Sequence, residues 1–260
     1  MRLDLSAQLY QLDVKASWHH LDSVGEWKPG MTFSTSEQSQ AAAYAGSHNQ
    51  ARPDQPGVLV FSACRGGYII GYSDPSIWTT TEQVGWDDLI PLIGYVHSLH
   101  IPRSQFRDST ITLSLRHLAD PPHWRIRDQA LNIDGDFKMI HIGRAHSRMT
   151  TVFEHVDATP NTGPLIIKDS YLNNSRDPEH TLFQVLGTSP GWVSVRPLPD
   201  DVPIEPLLTP NVDGIIQRRK DRTVMENTGA KFNDCKTLSE AVAAVYDILE
   251  GKNKPWLLVD

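Results

Sequence analysis

The chain has 260 residues, of which 39% are hydrophobic and 21% charged, and its formal net charge is -7. This length and composition are typical of one large or two small globular domains. The acidic balance gives no electrostatic support to nucleic-acid binding. Cys64 and Cys235 stand far apart, which excludes a disulfide framework and favours a reducing compartment. No apolar stretch is typical of a signal peptide or a membrane span, so we expect an intracellular protein, cytoplasmic or nuclear, without membrane contact.

The first half of the chain reads as an α+β arrangement. We predict one or two short strands within residues 3–14 and a short strand at 31–36 (MTFSTS) that leads into an alanine-rich helix, with Ser36 as its N-cap. A buried strand is predicted at 57–63 (GVLVFSA), an extended run at 68–70, a helix within 87–97 and a strand at 110–115.

Pro121 and Pro122 mark the predicted domain boundary, because two consecutive prolines resist both helix and sheet. We therefore expect an α+β domain at residues 1–118 and a second domain at 119–260. The second domain begins with a predicted hairpin, whose strands at 137–142 and 149–156 flank a turn at 143–147.

The stretch that follows, GPLIIKDS, predicts a strand that starts at Pro164 and closes on Lys168. After a turn-like YLNNSRDP, Glu179 opens a short helix with apolar Leu182, Phe183 and Leu186. Further strands are predicted at 192–195 and at the start of 221–234. A capping box at 237–240 then predicts a last helix that ends at Gly251.

This order of segments resembles the fungal-type protein kinase family over about residues 120–250. The resemblance rests on IIKDS, on the glutamate-bearing helix after it and on RTVMENTGAKFNDC. It implies a kinase-like N-lobe in which the strand lysine, oriented by the helix glutamate, grips the phosphates of ATP. The implied nucleotide-binding residues are Lys168, Glu179, Gly143, Met225 and Glu226. The alternative for the first pair is an ordinary surface lysine and a helix-start glutamate.

Two features predict that ATP binding is weak and that phosphotransfer is absent. The turn that would cover the phosphates holds only Gly143, whereas close backbone approach needs several glycines. The catalytic loop and the metal-binding Asp-Phe-Gly of a kinase have no counterpart after the last helix. We therefore expect a truncated pseudokinase or interaction module that offers a protein partner an apolar surface. That surface would include Val242, Val245, Leu249 and Trp256.

Residues 9–62 show a second, fainter resemblance, to ADP-ribosyltransferase-like domains, through FSTS, AAAYA and VLVFS. It implies an NAD site beside Ser34 or Ser36 and an alternative function as an NAD-dependent transferase. The third alternative is a non-catalytic structural or binding protein. The eleven histidines show no metal-ligand spacing, so no metal site is predicted.

Overall fold

The protein is described by a computed structural model. It covers residues 2–3, 18–100, 107–114, 122–145, 148–156, 165–177, 181, 218–226 and 236–239. The described residues confirm a mixed α+β fold that is rich in strands and built on two sheets.

The elements follow one another along the chain with these bounds. In the first half they are β1 (Arg2–Leu3), a 3₁₀ helix (Trp18–His20), β2 (Val24–Trp27), α1 (Thr35–Ala51), β3 (Val58–Cys64), β4 (Gly67–Ser73), β5 (Trp78–Thr80) and α2 (Ile90–His100). The strands β6 (Ile111–Ser114), β7 (His123–Asp128), β8 (Ile133–Ile142), β9 (Thr151–His155), β10 (Ile166–Asn173) and β11 (Arg218–Met225) follow.

The first sheet has the order β1-β2-β3-β4-β5. Its β2 and β3 are parallel, and α1 makes the crossover between them that a parallel pair requires. Small residues on one side of α1, Ala41 and Ala45, let the helix approach the sheet closely and pack against Val24, Val58 and Val60. The predicted strand at 57–63 and the predicted helix near 87–97 are thus present as β3 and α2.

The start of α1 differs from the sequence prediction. Residues 31–36 do not form a strand, and the N-cap is Ser34 instead of Ser36. Ser34 and Glu37 form a capping box. The Glu37 backbone N–H donates to Ser34 Oγ at 3.3 Å, and the Ser34 backbone N–H donates to Glu37 Oε2 at 2.8 Å. Two orphan donors of the first turn are satisfied in this way, so the helix starts two residues earlier than predicted.

The second sheet has the order β11-β10-β9-β8-β7-β6, and all its neighbouring strands are antiparallel. One face carries a buried apolar core that includes Trp124, Ile126, Phe137, Phe153, Ile167 and Val224. The predicted hairpin strands are β8 and β9. Side chains from β11 also reach Asp128 at the end of β7 and Thr110 before β6, so the curled sheet brings its two edges together.

The division between the sheets lies before the predicted boundary. Strand β6 (Ile111–Ser114) pairs with β7 (His123–Asp128), so Pro122 lies between two hydrogen-bonded strands of the second sheet. The change from one sheet to the other falls between His100 and Ile111. Residues 111–114, assigned by the sequence to the first domain, therefore belong to the second sheet.

Candidate functional site

Lys168 lies within β10 and does not close it. The strand continues through Tyr171 to Asn173, and the turn begins only at Asn174. The predicted end of the strand at Lys168 and the predicted start of the turn at Tyr171 are therefore wrong, because side chains continue to alternate between the two faces of the sheet through Asp169 and Tyr171. Lys168 is half-buried and stands opposite Val152 of β9 and Thr223 of β11.

A small apolar cluster lies on the Lys168 side of the sheet. Side chains alternate along a strand, so Ile166 and Lys168 share one face, and Ile167 points to the main core on the other. Ile166 packs with Val152 and Met225, and all three are at most 7% exposed. Met225 is the register partner of Ile166, and Val152 that of Lys168. The lysine therefore has apolar neighbours on its own face, whose Cβ atoms lie about 5–7 Å from its own Cβ.

The turn at Gly143 is the third part of the site. It joins β8 to β9, and β9 pairs directly with the lysine strand. The Gly143 N–H donates to the Thr150 carbonyl at 2.6 Å, and its own carbonyl accepts from Gln50 Nε2 at 2.7 Å. The backbone groups of Gly143 are thus already used, and its N–H could donate to another acceptor only by giving up the bond to Thr150.

The remaining predicted residues fall in different places. Met225 ends β11 inside the apolar cluster, and exposed Glu226 follows it directly. Glu179 and the helix predicted around it lie outside the described residues, Thr181 excepted. The strand at 192–195 and the apolar surface at Val242 to Trp256 lie outside them too. Most of the helix predicted to start near 237 is likewise not described.

Ser34 and Ser36 lie at the exposed start of α1 and not on a strand. Their hydroxyl oxygens are 3.0 Å apart, and Ser34 Oγ donates to Glu37 Oε2 at 2.7 Å. Helix capping accounts for the Ser34 contacts. The NAD site beside these serines stays a prediction, and the strand on which it rested is absent at 31–36.

A buried ionic cluster on the core side of the second sheet escaped the sequence prediction. Arg222 of β11 makes a bidentate pair with Asp169 of β10, with N–O distances of 2.7 and 2.8 Å. Arg222 also donates to Asp128 at 3.0 Å and to Thr110 Oγ1 at 2.7 Å. Lys220 pairs with Asp169 at 2.8 Å and with Asp108. The cluster joins both edges of the sheet.

The cluster fixes the charge of its members. Burial opposes the ionised forms, but the partners outweigh it. Lys220 and Arg222 lower the pKa of Asp108, and the same two cations, Arg222 first, lower the pKa of Asp169. The carboxylates in turn raise the pKa of Lys220 and of Arg222 against the effect of burial. Groups held so firmly ionised are poor proton donors or acceptors near neutral pH, so we assign the cluster to sheet closure.

Lys168, Gly143 and Met225 were predicted as site residues, whereas Val152 and Ile166 were not. Ile166 could have been found from the strand period, because it is two residues from Lys168 and shares its face. Val152 depends on the register between β9 and β10, which the strand period does not give. Within the described ranges no three histidine, cysteine or acidic side chains are arranged so that they could hold a metal ion. None of the described helices is both long enough and apolar enough to cross a membrane.

Comparisons with protein-family models, curated proteins and solved structures give no match to this chain.

Proposed function

We propose that the chain is a kinase-like nucleotide-binding module, with weak affinity for ATP. The observation that carries this proposal is the arrangement of Val152, Ile166 and Met225 beside Lys168, on one face of three adjacent antiparallel strands. An apolar surface suits a purine ring, and the ammonium next to it suits the phosphates. The order of the elements, a hairpin followed by the lysine strand, agrees with the kinase arrangement.

The proposed affinity is low for two structural reasons. The apolar cluster is closed to solvent in this structure, so a ring can enter only after the site opens, and the opening subtracts from the binding free energy. The Gly143 amide is already bonded to Thr150, so the hairpin offers the phosphates little. Binding, and not phosphotransfer, is therefore the proposed activity, and a role as an interaction module or pseudokinase follows from it.

We place this activity inside the cell, in the cytoplasm or the nucleus. Cys64 is buried and free, which fits a compartment where thiols stay reduced. The proposed protein partner through residues 242–256 rests on the sequence pattern alone.

A thermal-shift titration tests the proposed ligand. ATP with magnesium at ten times its Kd should stabilise the protein by about 1.4 kcal/mol, while NAD at the same concentration should not. Lys168→Met should abolish most of the ATP shift because the phosphates lose their cation. Lys138→Met removes an exposed lysine of the same sheet and should leave the shift intact.

The outcomes separate the candidate functions. A shift with NAD alone would favour the transferase alternative in the first half of the chain. A shift with neither ligand would favour the non-catalytic binding protein. An ATP shift that survives Lys168→Met would place the nucleotide elsewhere and contradict the proposed site.

A further inference from the structure

Four arginines converge at the far end of β10, away from the apolar cluster. Arg218 and Arg219 open β11, where they stand opposite Asn173 and Leu172. The Tyr171 N–H donates to the Arg148 carbonyl at 2.7 Å, which places the residues before β9 at the same end. Arg219 Nη2 donates to the Arg176 carbonyl at 2.6 Å, which adds the turn after β10.

These side chains keep unused donors. The Nε atoms of Arg218 and Arg219 are buried and have no hydrogen-bond partner. Arg148 and Arg176 are exposed. In the part of the chain that the structure describes, no carboxylate lies within ion-pair distance of any of the four guanidinium groups. Guanidinium donors without a carboxylate are the usual partners of phosphate oxygens.

Asp74 is a carboxylate whose charge acts on Arg218, and it has other hydrogen-bond partners. Asp74 Oδ1 accepts from the backbone N–H groups of Ser76 and Ile77 at 2.6 and 2.9 Å, and Oδ2 accepts from Tyr72 at 3.1 Å. Burial lowers the pKa of Arg218, nearby Arg148 and Arg176 lower it further, and Asp74 opposes them. The cations therefore repel one another, and an added anion would relieve that repulsion.

We propose that Arg148, Arg176, Arg218 and Arg219 form a binding site for a phosphate-monoester or free phosphate dianion. Guanidinium groups bind such oxyanions in bidentate fashion, and clusters of arginine recognise phosphorylated side chains in proteins. The two sources of this chemistry are a phosphorylated serine or threonine of a protein partner and inorganic phosphate.

The site is separate from the proposed nucleotide site. Arg218 is the register partner of Asn173 and lies on the face of Asp169, opposite Lys168. Arg219 is the register partner of Leu172 and lies on the face of Lys168, so it is the distance along β10 that separates the two sites. Five residues along β10 separate Lys168 from Asn173, a distance of roughly 17 Å. An anion held by Arg218 is thus beyond the phosphate reach of a purine ring placed on Ile166.

The test uses the full chain and three probes at low ionic strength. These are inorganic phosphate, an alanine–glycine pentapeptide with a central phosphoserine, and the same peptide unphosphorylated. Calorimetric titration should show binding of a phosphorylated probe and none of the unphosphorylated peptide. The double variant Arg148→Gln/Arg176→Gln should lose at least tenfold in affinity. Both positions are exposed, so this variant should fold normally. Arg65→Gln removes an exposed arginine outside the cluster and should bind like the wild type.

Each outcome decides the question. Phosphopeptide binding that needs the two arginines supports the site and a protein source, and binding of inorganic phosphate alone supports the site with a free anion. Binding of neither probe overturns the proposal. So does an equal loss in the double variant and in Arg65→Gln, which would show only the effect of net charge. Lys168→Met should retain phosphate binding even if ATP binding fails, which keeps the two proposals distinguishable.

Discussion

His48 in α1 is a buried histidine whose protonation the fold opposes. It is 0% exposed, and because a carbonyl only accepts, its Nε2 donates to the Leu21 carbonyl at 2.7 Å. The Nδ1 atom is buried without a partner. Burial, and then Arg52, lower the pKa of His48 to about 4, although the Leu21 carbonyl acts against them. The neutral ring is therefore the folded form at neutral pH.

Because His48 is held neutral, the folded protein should lose stability as the pH falls. The pKa of His48 is lower in the folded state than its unfolded value of about 6.5. The contribution of this residue to the free energy of unfolding is therefore complete above pH 6.5 and is lost as pH falls toward 4. The shift corresponds to about 3 kcal/mol of unfolding free energy. His48→Gln should lose less stability over this range in urea unfolding, because its amide can donate but does not titrate. The exposed control His97→Gln should keep the wild-type slope. An unchanged slope in His48→Gln would contradict the assignment.

Arg222 is the residue on which the ionic cluster depends. Arg222→Met would leave Asp169 buried with only Lys220 beside it, so we predict a loss of about 3–5 kcal/mol in unfolding free energy. Because the partners lower the pKa of Asp169, the cluster's contribution should be lost only as pH falls below about 4.

Chemical denaturation measures this loss, and Arg127→Met supplies the comparison. Arg127 pairs with Asp134 at the surface, where such a pair is worth under about 1 kcal/mol. Equal stability of Arg222→Met and the wild type would show that the cluster does not hold the sheet closed.

Among the elements, local sequence patterns predicted where strands occur better than they predicted where each strand begins and ends. The β-branched runs at Val58 and Ile166 form the strands β3 and β10, because burial on a sheet matches their local preference. The strand at 31–36 failed because Ser34 is used as a helix cap, a competition that composition does not reveal. The ionic cluster could not be predicted, since Arg222 finds Asp169 53 positions away and Asp108 114 positions away.

Two glycines, one in a strand and one in a helix, allow a matched test of how an added Cβ changes the stability of an element. Gly67 in β4 has φ of +150°, and a Cβ there would lie 2.0 Å from the Val84 carbonyl oxygen. Gly67→Ala should therefore destabilise the protein by at least about 2 kcal/mol. Gly94 in α2 has no atom within 4 Å of the added Cβ, so Gly94→Ala should stabilise it by about 0.5–1 kcal/mol. Thermal unfolding of both variants compares the two effects, and a shift of the same sign in both would contradict the backbone account.

At the scale of the whole molecule, segments next to the first sheet contact the second sheet and the segment before it. The Asp108 N–H donates to the Asp54 carbonyl at 2.8 Å, and the rings of His19 and Trp124 lie 6.4 Å apart. Asp108 also belongs to the ionic cluster, so the segment before β6 serves both sheets.

Because this segment contacts both sheets, its presence or absence should decide how stable a C-terminal fragment of the chain is. A fragment of residues 101–260 retains β6 and Asp108, whereas a fragment of 119–260 loses both together with Thr110. The shorter fragment should therefore melt at a lower temperature in circular dichroism, because Lys220 and Arg222 lose buried partners. Identical melting of the two fragments would favour the boundary predicted at Pro121 and Pro122.

The proposed nucleotide site holds a purine ring on Val152, Ile166 and Met225, with the phosphates at Lys168. Methyl NMR of the full chain, labelled at valine, isoleucine and methionine methyl groups and titrated with ATP, tests it most directly. Binding at this site should give saturable shifts of these three residues, no shift of Ile126 in the main core, and loss of the shifts in Lys168→Met. Unchanged resonances at Val152, Ile166 and Met225, or shifts confined to Val58 and Val60 of the first sheet, would contradict it.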